Sequence, residues 1–248
     1  MDSTMRIEGY RLISRCFSYP DDELLGALAA GTLGVGVRSA CDDAGLLATY
    51  AGRRPEEFAT RLRSVYTRLF IGTPRPACLP YESSQRSALK GQHADLFVNP
   101  CAQAVLETYR TGGVNLSPDN VEPPDHVVSE AEFAALLLHA QVAGQPLPVS
   151  HDAFYDAHIG LWFYLFARNV RACTDEPLYQ WAADLVDVVA PRSAGADGAE
   201  ELARLEMQAA REHEANDALL RDRLMRDVAD GAVHQPDLPS GSTSVPIR

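Results

Sequence analysis

The sequence is short of positive charge. Among its 248 residues, 22 lysines and arginines stand against 34 aspartates and glutamates, and the formal net charge is −12. General nucleic-acid binders and proteins of anionic membrane surfaces need a basic surface, so both classes are excluded. The shortage is compatible with a cationic partner. The apolar fraction of 46% is sufficient for a sizeable buried core.

Paired cysteine motifs and long apolar runs are also missing. The five cysteines are scattered and never in CxxC spacing, which excludes a zinc ribbon and a thioredoxin-type redox site. Scattered free thiols are typical of a reducing compartment. No secretory signal precedes the first helix, and no window approaches the roughly 18 apolar residues of a membrane span. We therefore expect a cytoplasmic protein with no membrane insertion.

The sequence also lacks the motifs of the common enzyme classes. GxSxG, a P-loop, HExxH and an EF-hand loop are all absent. The seven histidines do not form a tight group with metal-ligand spacing. Helical bundles do host carboxylate–histidine sites, so one enzymatic alternative stays open. It is a small metal-dependent hydrolase centred on Asp125 and His126, with Glu130 and His158 as further ligands.

Alternating strand patterns are nearly absent, whereas helical spacing of apolar residues recurs along the chain. It predicts helices over about 7–16, 55–70, 98–110, 126–143 and 150–171, and one from about 177. Asp21 or Asp22, Asp125 and Ser150 precede such segments and are predicted N-caps. Residues 75–84 are too rich in proline for regular structure, yet so apolar that we expect them to pack against the protein.

These patterns predict an all-α protein, a single helical-bundle domain with long loops. The domain is expected to span residues 1–190. An acidic helical extension follows over 191–230, with charges paired at i,i+4 spacing. Residues 231–248 combine proline and glycine with serine and threonine, a composition that predicts a disordered tail.

Four motifs, taken together, resemble one protein family. They are Tyr66-x-x-Leu69-Phe70, then Pro80-Tyr81-Glu82-Ser83, then Glu122-x-Pro124-Asp125-His126-x-x-x-Glu130-x-Glu132-Phe133, and finally Phe154-x-x-x-His158-x-x-x-Trp162. Their order and spacing are similar to those of the TorD/DmsD/NarJ chaperones. The resemblance covers about residues 5–190 and implies the helical fold of that family. The proline–aspartate–histidine motif followed by ExEF is its most specific part.

The resemblance implies a function without catalysis. Such chaperones are cytoplasmic and mature molybdenum-containing oxidoreductases. They bind the N-terminal segment of the catalytic subunit, often a twin-arginine leader, and assist molybdopterin insertion before export. The implied partners are that subunit and cofactor-biosynthesis proteins. No permanent cofactor is expected, although a transient contact with molybdopterin guanine dinucleotide or GTP is implied. The expected state is a monomer or a homodimer.

The resemblance also suggests where a leader binds, because paired arginines followed by an apolar run require carboxylates beside an apolar groove. The predicted peptide-binding residues are Tyr66, Leu69, Phe70, Pro80, Tyr81, Glu82, Glu122, Asp125, His126 and Glu130. Structural alternatives remain open for several of them. Asp125 can serve only as a helix cap, His126 can hydrogen-bond Glu130, and the 66–70 motif can belong to the core. His158 is expected to be a hydrogen-bonded core histidine.

Overall fold

The computed structural model describes residues 1–72, 76–89, 99–116 and 122–193. Within these ranges the protein is all-helical, and its only β pairing is an isolated bridge between Tyr81 and His126. The helices are α1 (Ser3–Phe17), α2 (Asp22–Ala30), α3 (Ala44–Tyr50), α4 (Ala59–Tyr66), α5 (Glu82–Leu89), α6 (Pro100–Thr111), α7 (Val127–Val142), α8 (His151–Phe154), α9 (Gly160–Cys173) and α10 (Pro177–Val189). The all-α prediction is confirmed.

Local chemistry determines several helix ends. The Asp21 carboxylate accepts the Leu24 amide at the start of α2, and the Ser150 hydroxyl accepts the Ala153 amide at the start of α8. Both side chains satisfy amides that have no partner inside the helix, so these two predicted N-caps are confirmed. Proline occupies the first position of α6 and of α10, where its missing N–H costs nothing.

The core forms where α7 and α10 pack along α1 and α9 packs along α10. Aromatic side chains meet at its centre. The Phe17 ring contacts the rings of Phe70 and Phe166 at centroid distances of 5.9 and 4.8 Å, and the Tyr179 ring lies 5.5 Å from Phe70. The α7 helix is buried on most of its sides, as its apolar pattern predicts, so it occupies a central position.

Three local predictions need correction. The helix predicted over 55–70 divides into a 3-10 turn at Pro55–Glu57, α4 and a π-helical turn at Thr67–Ile71. A second π-helical turn, Tyr155–Ile159, joins α8 to α9. The segment predicted to be irregular up to residue 84 already becomes helical at Glu82. The expectation that this segment packs down holds for Cys78 and Pro80, which are both buried.

The cap assignment at Asp125 was wrong. The N-cap of α7 is His126, whose Nδ1 accepts the Val128 amide at 3.2 Å. The Asp125 carboxylate instead accepts the Ser83 amide at 2.9 Å, and it therefore caps the start of α5, a helix 42 residues earlier. The reason is long-range: the loop before α7 passes the beginning of α5.

The predicted boundary at residue 190 falls just after the end of α10. Most of the acidic extension predicted over 191–230, and the whole tail predicted over 231–248, lie outside the described residues. None of the described helices is long and apolar enough to cross a membrane.

Candidate functional site

Charged side chains converge in the interior where α5, α7 and α9 meet. We call Glu82, Arg86, Asp125, Glu130 and His158 the carboxylate cluster. The Glu82 carboxylate is completely buried, receives a hydrogen bond from Arg86 at 2.6 Å and lies 2.9 Å from Nδ1 of His158. Burial alone would raise the pKa of Glu82. The hydrogen bonds and charges of His158 and Arg86 outweigh burial and hold this pKa below its ordinary value.

The pKa of the second glutamate of the cluster is displaced in the opposite direction. Glu130 is also fully buried, and its Oε2 accepts the indole N–H of Trp162 at 2.9 Å. Its Oε1 has no hydrogen-bond partner among the described residues. Burial, together with the nearby negative charge of Glu82, raises the pKa of Glu130 well above its ordinary value. The pKa values of the two buried carboxyl groups are therefore displaced in opposite directions, that of Glu82 below and that of Glu130 above the ordinary value of a glutamate.

Asp125 joins the cluster to the chain around it. Its side chain is 1% exposed, and its backbone carbonyl accepts the Glu82 amide at 2.9 Å while its carboxylate accepts the Ser83 amide. One step further, the Val127 amide donates to the Pro80 carbonyl at 2.9 Å. These bonds hold the loop before α5 against the loop before α7. The two backbone bonds form the isolated bridge between Tyr81 and His126.

His126 lies between the cluster and solvent. Burial lowers the pKa of its imidazole to about 4, so the ring is neutral at physiological pH. Since Nδ1 accepts the Val128 amide, we assign the ring proton to Nε2. The alternative in which the His126 side chain bonds Glu130 was wrong, because the Glu130 carboxyl is turned inward to Trp162. Glu130 donates its backbone N–H to the His126 carbonyl at 3.0 Å. His158 is a buried, hydrogen-bonded histidine, as expected.

A run of aromatic rings with one carboxylate reaches the surface beside the cluster. We call Tyr19, Tyr66, Tyr81, Glu122 and His126 the tyrosine patch. Tyr81 donates its hydroxyl to Glu122 at 2.7 Å and its ring lies 5.2 Å from that of His126. The Tyr19 and Tyr66 rings lie 5.4 Å apart, edge to face. Burial and the Glu122 charge raise the pKa of Tyr66 to about 12.

The residues predicted to bind peptide divide into two groups by exposure. Glu122 is exposed and Tyr81 half-buried, and only these two present substantial surface. The others are buried: Tyr66, Leu69, Phe70, Pro80, Glu82, Asp125, His126 and Glu130. The placement of Glu82, Asp125 and Glu130 opposite a cationic peptide is thus corrected, because all three face partners inside the protein. Leu69 and Phe70 are core residues beneath the tyrosine patch.

Three surface residues near this site carry no local sequence signal. Tyr19 is 51% exposed and directly follows the C-cap of α1, so its position beside Tyr66 depends on tertiary packing. Arg63 and Arg68 lie on α4 and its π-helical turn, and both line a cleft that Tyr19 also borders. Helical periodicity places these arginines outside the core but gives no reason to connect them with Tyr19.

The sequence profile of the nitrate reductase delta subunit family matches residues 38–168, more than half of the chain. The chain belongs to the nitrate reductase delta subunit family. Members of this family are non-catalytic chaperones in the maturation of molybdenum-containing oxidoreductases, and this chain is one of them. The resemblance drawn from the four motifs is thereby confirmed.

The chain is similar to two further proteins. The chain is 28% identical over 207 residues to the selenate reductase assembly chaperone protein of Thauera selenatis, covering 80% of this chain and 93% of the relative. It is 26% identical to an Archaeoglobus fulgidus protein of known crystal structure, described as a redox enzyme maturation protein. That match covers 73% of this chain and 91% of the other, with a TM-score of 0.48.

Family membership also decides against the hydrolase alternative. A delta-subunit chaperone is not an enzyme, so Asp125 and His126 are not the centre of a hydrolytic site. In the described ranges, no group of three or more histidine, cysteine, aspartate and glutamate side chains is arranged to hold a metal ion. The roles of Asp125 and His126 in the described structure are those of helix caps.

Proposed function

We propose that the protein binds the N-terminal leader of a molybdoenzyme catalytic subunit on the tyrosine patch and assists molybdopterin insertion before export. The client suggested by its relatives is an oxyanion reductase, because one relative serves selenate reductase and the family is named for nitrate reductase. Such a chaperone would act in the cytoplasm, where the cofactor is inserted. The transient contact with molybdopterin guanine dinucleotide or GTP belongs to this same proposal.

The observation that carries the proposal is the position of Glu122 at one end of a row of tyrosine rings. A guanidinium group can make two favourable interactions here, an ion pair with Glu122 and a cation–π contact with the Tyr81 ring. An apolar run following the arginines would continue along Tyr66 and Tyr19. Leu69, Phe70 and Pro80 support these rings from below.

The peptide test compares two substitutions that remove the same charge. A fluorescein-labelled peptide with two arginines before an apolar run is titrated with wild-type protein, Glu122→Gln and Glu107→Gln. Glu107 is an exposed α6 residue outside the patch, paired with Arg110. We expect roughly fivefold weaker binding for Glu122→Gln, about 1 kcal/mol for an exposed charge pair, and no change for Glu107→Gln. Equal affinities in all three proteins would contradict the proposed site.

The cofactor step has its own measurement. The client reductase is produced with and without this chaperone, and its molybdenum content is determined after purification. A client that lacks molybdenum without the chaperone supports a role in insertion. A fully loaded client in both preparations would reduce the proposal to leader binding alone.

A further inference from the structure

Next to the tyrosine patch lies a cleft of opposite character, which we call the basic cleft. Its volume is about 620 Å³, and Tyr19, Arg63, Ser64, Thr67 and Arg68 are among the residues that line it. The two guanidinium groups and two hydroxyls all come from α4 and the π-helical turn that continues it. The Thr67 hydroxyl already donates to the Arg63 carbonyl at 2.9 Å. In a protein with a net charge of −12, the two guanidinium groups are a local concentration of positive charge.

Arg63 and Arg68 of the basic cleft differ in the partners that their guanidinium groups already have. Arg63 donates to the Pro20 carbonyl and to Asp22, whose side chain is 97% exposed. Arg68 donates to the Cys173 carbonyl at 3.1 Å, and no carboxylate of the described residues pairs with it. One neutral carbonyl does not compensate a guanidinium charge, which has further N–H donors to offer. Arg68 thus remains able to receive an anion.

The helix ends at the cleft penalise a doubly charged phosphate more than a singly charged carboxylate, because carbonyl ends carry partial negative charge. The π-helical turn ends at Ile71, and α9 ends at Cys173, so both contribute carbonyl ends. Phosphate sites usually draw on the amide ends of helices, where free N–H groups converge. A cleft with guanidinium groups as its main donors suits the planar, bidentate geometry of a carboxylate.

Tyr19 connects the basic cleft to the tyrosine patch. Its half-exposed ring borders the cleft and also contacts Tyr66 edge to face. A segment lying along these rings would therefore meet the Glu122 carboxylate at one end and the Arg63 and Arg68 guanidinium groups at the other. Tyrosine and arginine are also the side chains that contribute most to binding at protein interfaces.

We infer that this surface recognises a bipolar peptide, in which basic residues and acidic residues flank an apolar run. The inference rests on the proposed function and adds a requirement to it. The client segment must carry carboxylates beyond its apolar part, and the basic cleft binds these carboxylates. Arg68 provides the principal contact and Arg63 a second one. The protein would thus recognise a charge pattern with two poles, which a basic leader alone does not provide.

The test uses three fluorescein-labelled peptides of equal length. The first has two arginines, an apolar spacer and two glutamates; the second has glutamines in place of the glutamates; the third has glutamines in place of the arginines. Spacers of about four to about seven residues are compared. An extended chain advances about 3.3 Å per residue, so these spacers span roughly 13 to roughly 23 Å. Dissociation constants are measured by fluorescence anisotropy for the wild type, Arg68→Gln and Arg110→Gln.

For the wild type, we expect the first peptide to bind about five- to tenfold more tightly than the second at the best spacer length. Arg68→Gln should remove this preference and leave the affinity for the second peptide unchanged. Arg68→Gln loses the bond to the Cys173 carbonyl, because the glutamine amide ends short of the position of the guanidinium Nη1. Thermal unfolding therefore verifies that the fold persists. Arg110→Gln, which changes an exposed arginine of α6, should retain the preference.

The outcomes separate this inference from the proposed function. If the wild type binds the first two peptides equally, or if Arg68→Gln keeps the preference, the basic cleft does not read carboxylates and the inference fails. Leader binding still stands in that case if the third peptide binds more weakly than the first. Equal binding of the first and third peptides contradicts the role of Glu122. A wild type that binds none of the peptides overturns both.

Discussion

The two buried glutamates allow a sharp prediction, because the fold displaces their pKa values in opposite directions. Glu130→Gln and Glu82→Gln make the same chemical change two helices apart. Glutamine at position 130 retains an acceptor for the Trp162 indole N–H and removes a carboxyl group whose ionised form is disfavoured by burial. Glutamine at position 82 removes the charge that partners both Arg86 and His158.

The expected magnitudes follow from these partners. Hydrogen bonds to charged groups contribute about 1.5–3 kcal/mol each, and Glu82→Gln disrupts two of them. The Arg86 side chain is 39% exposed and can be rehydrated, so its share is reduced. We therefore expect Glu82→Gln to lower the free energy of unfolding by about 2–4 kcal/mol at pH 7. Glu130→Gln should lower it by less than about 1 kcal/mol, or raise it.

The pH dependence separates the two sites further. Above the ordinary pKa of a glutamate, the unfolded chain loses the Glu130 proton while the folded protein keeps it. This site therefore makes the wild type less stable as pH rises, by about 1.4 kcal/mol per unit up to the pKa of folded Glu130. Because Glu130→Gln lacks this proton, its stability relative to the wild type should increase with pH. The Glu82 pKa is lowered in the fold, so the penalty of Glu82→Gln should shrink as pH falls below about 4.5.

Urea unfolding followed by circular dichroism, at several values between about pH 4 and about pH 7.5, measures these differences. A constant difference between Glu130→Gln and the wild type would show that Glu130 is ionised in the folded protein. A smaller loss for Glu82→Gln than for Glu130→Gln at neutral pH would reverse the assignment of the two carboxyl groups. Either result would refute the reasoning.

Three further predictions concern the packing around this centre. The pKa of His126 is about 4 in the fold and 6.5 ordinarily, so the protein should lose stability as pH falls from about 6.5 towards about 4. His126→Asn keeps a cap acceptor, and its thermal unfolding should lack this pH dependence. Asp125→Ala should cost about 2 kcal/mol in urea unfolding, because it leaves the Ser83 amide without its cap, whereas an unchanged midpoint would contradict that role. Gly9→Ala should lower the unfolding temperature through about 1–3 kcal/mol of overpacking, since a Cβ there would clash with Cγ2 of Val189. An unaltered melting curve would contradict the close approach of α1 and α10.

Sequence reasoning succeeded where the determining interaction is local. Asp21 and Ser150 cap helices that begin immediately after them, and the apolar spacing of α7 indicates its central position. It failed where a side chain serves a distant segment. Nothing in the neighbourhood of Asp125 shows that its carboxylate caps α5 instead of α7, because that choice depends on how two loops meet.

The candidate site shows the same division. The motif containing Glu82 and the motif containing Glu130 were both identified from the sequence, and the fold brings both into one cluster. Their burial was not predictable, because a glutamate is ordinarily exposed and these two are retained inside by Arg86, His158 and Trp162. Tyr19 was missed for the opposite reason: an aromatic residue before a proline indicates a turn and gives no sign that it stays exposed.

The carboxylate cluster and the tyrosine patch are parts of one arrangement. Tyr81 and His126 belong to different loops, and a surface made from two loops loses affinity if either must be ordered when the partner binds. Asp125 prevents this by binding the backbone of Glu82 and Ser83, while Val127 binds that of Pro80. The buried charge therefore positions the surface that we propose to bind the leader. It follows that substitutions in the cluster should weaken leader binding together with stability, whereas substitutions at the patch surface should weaken binding alone.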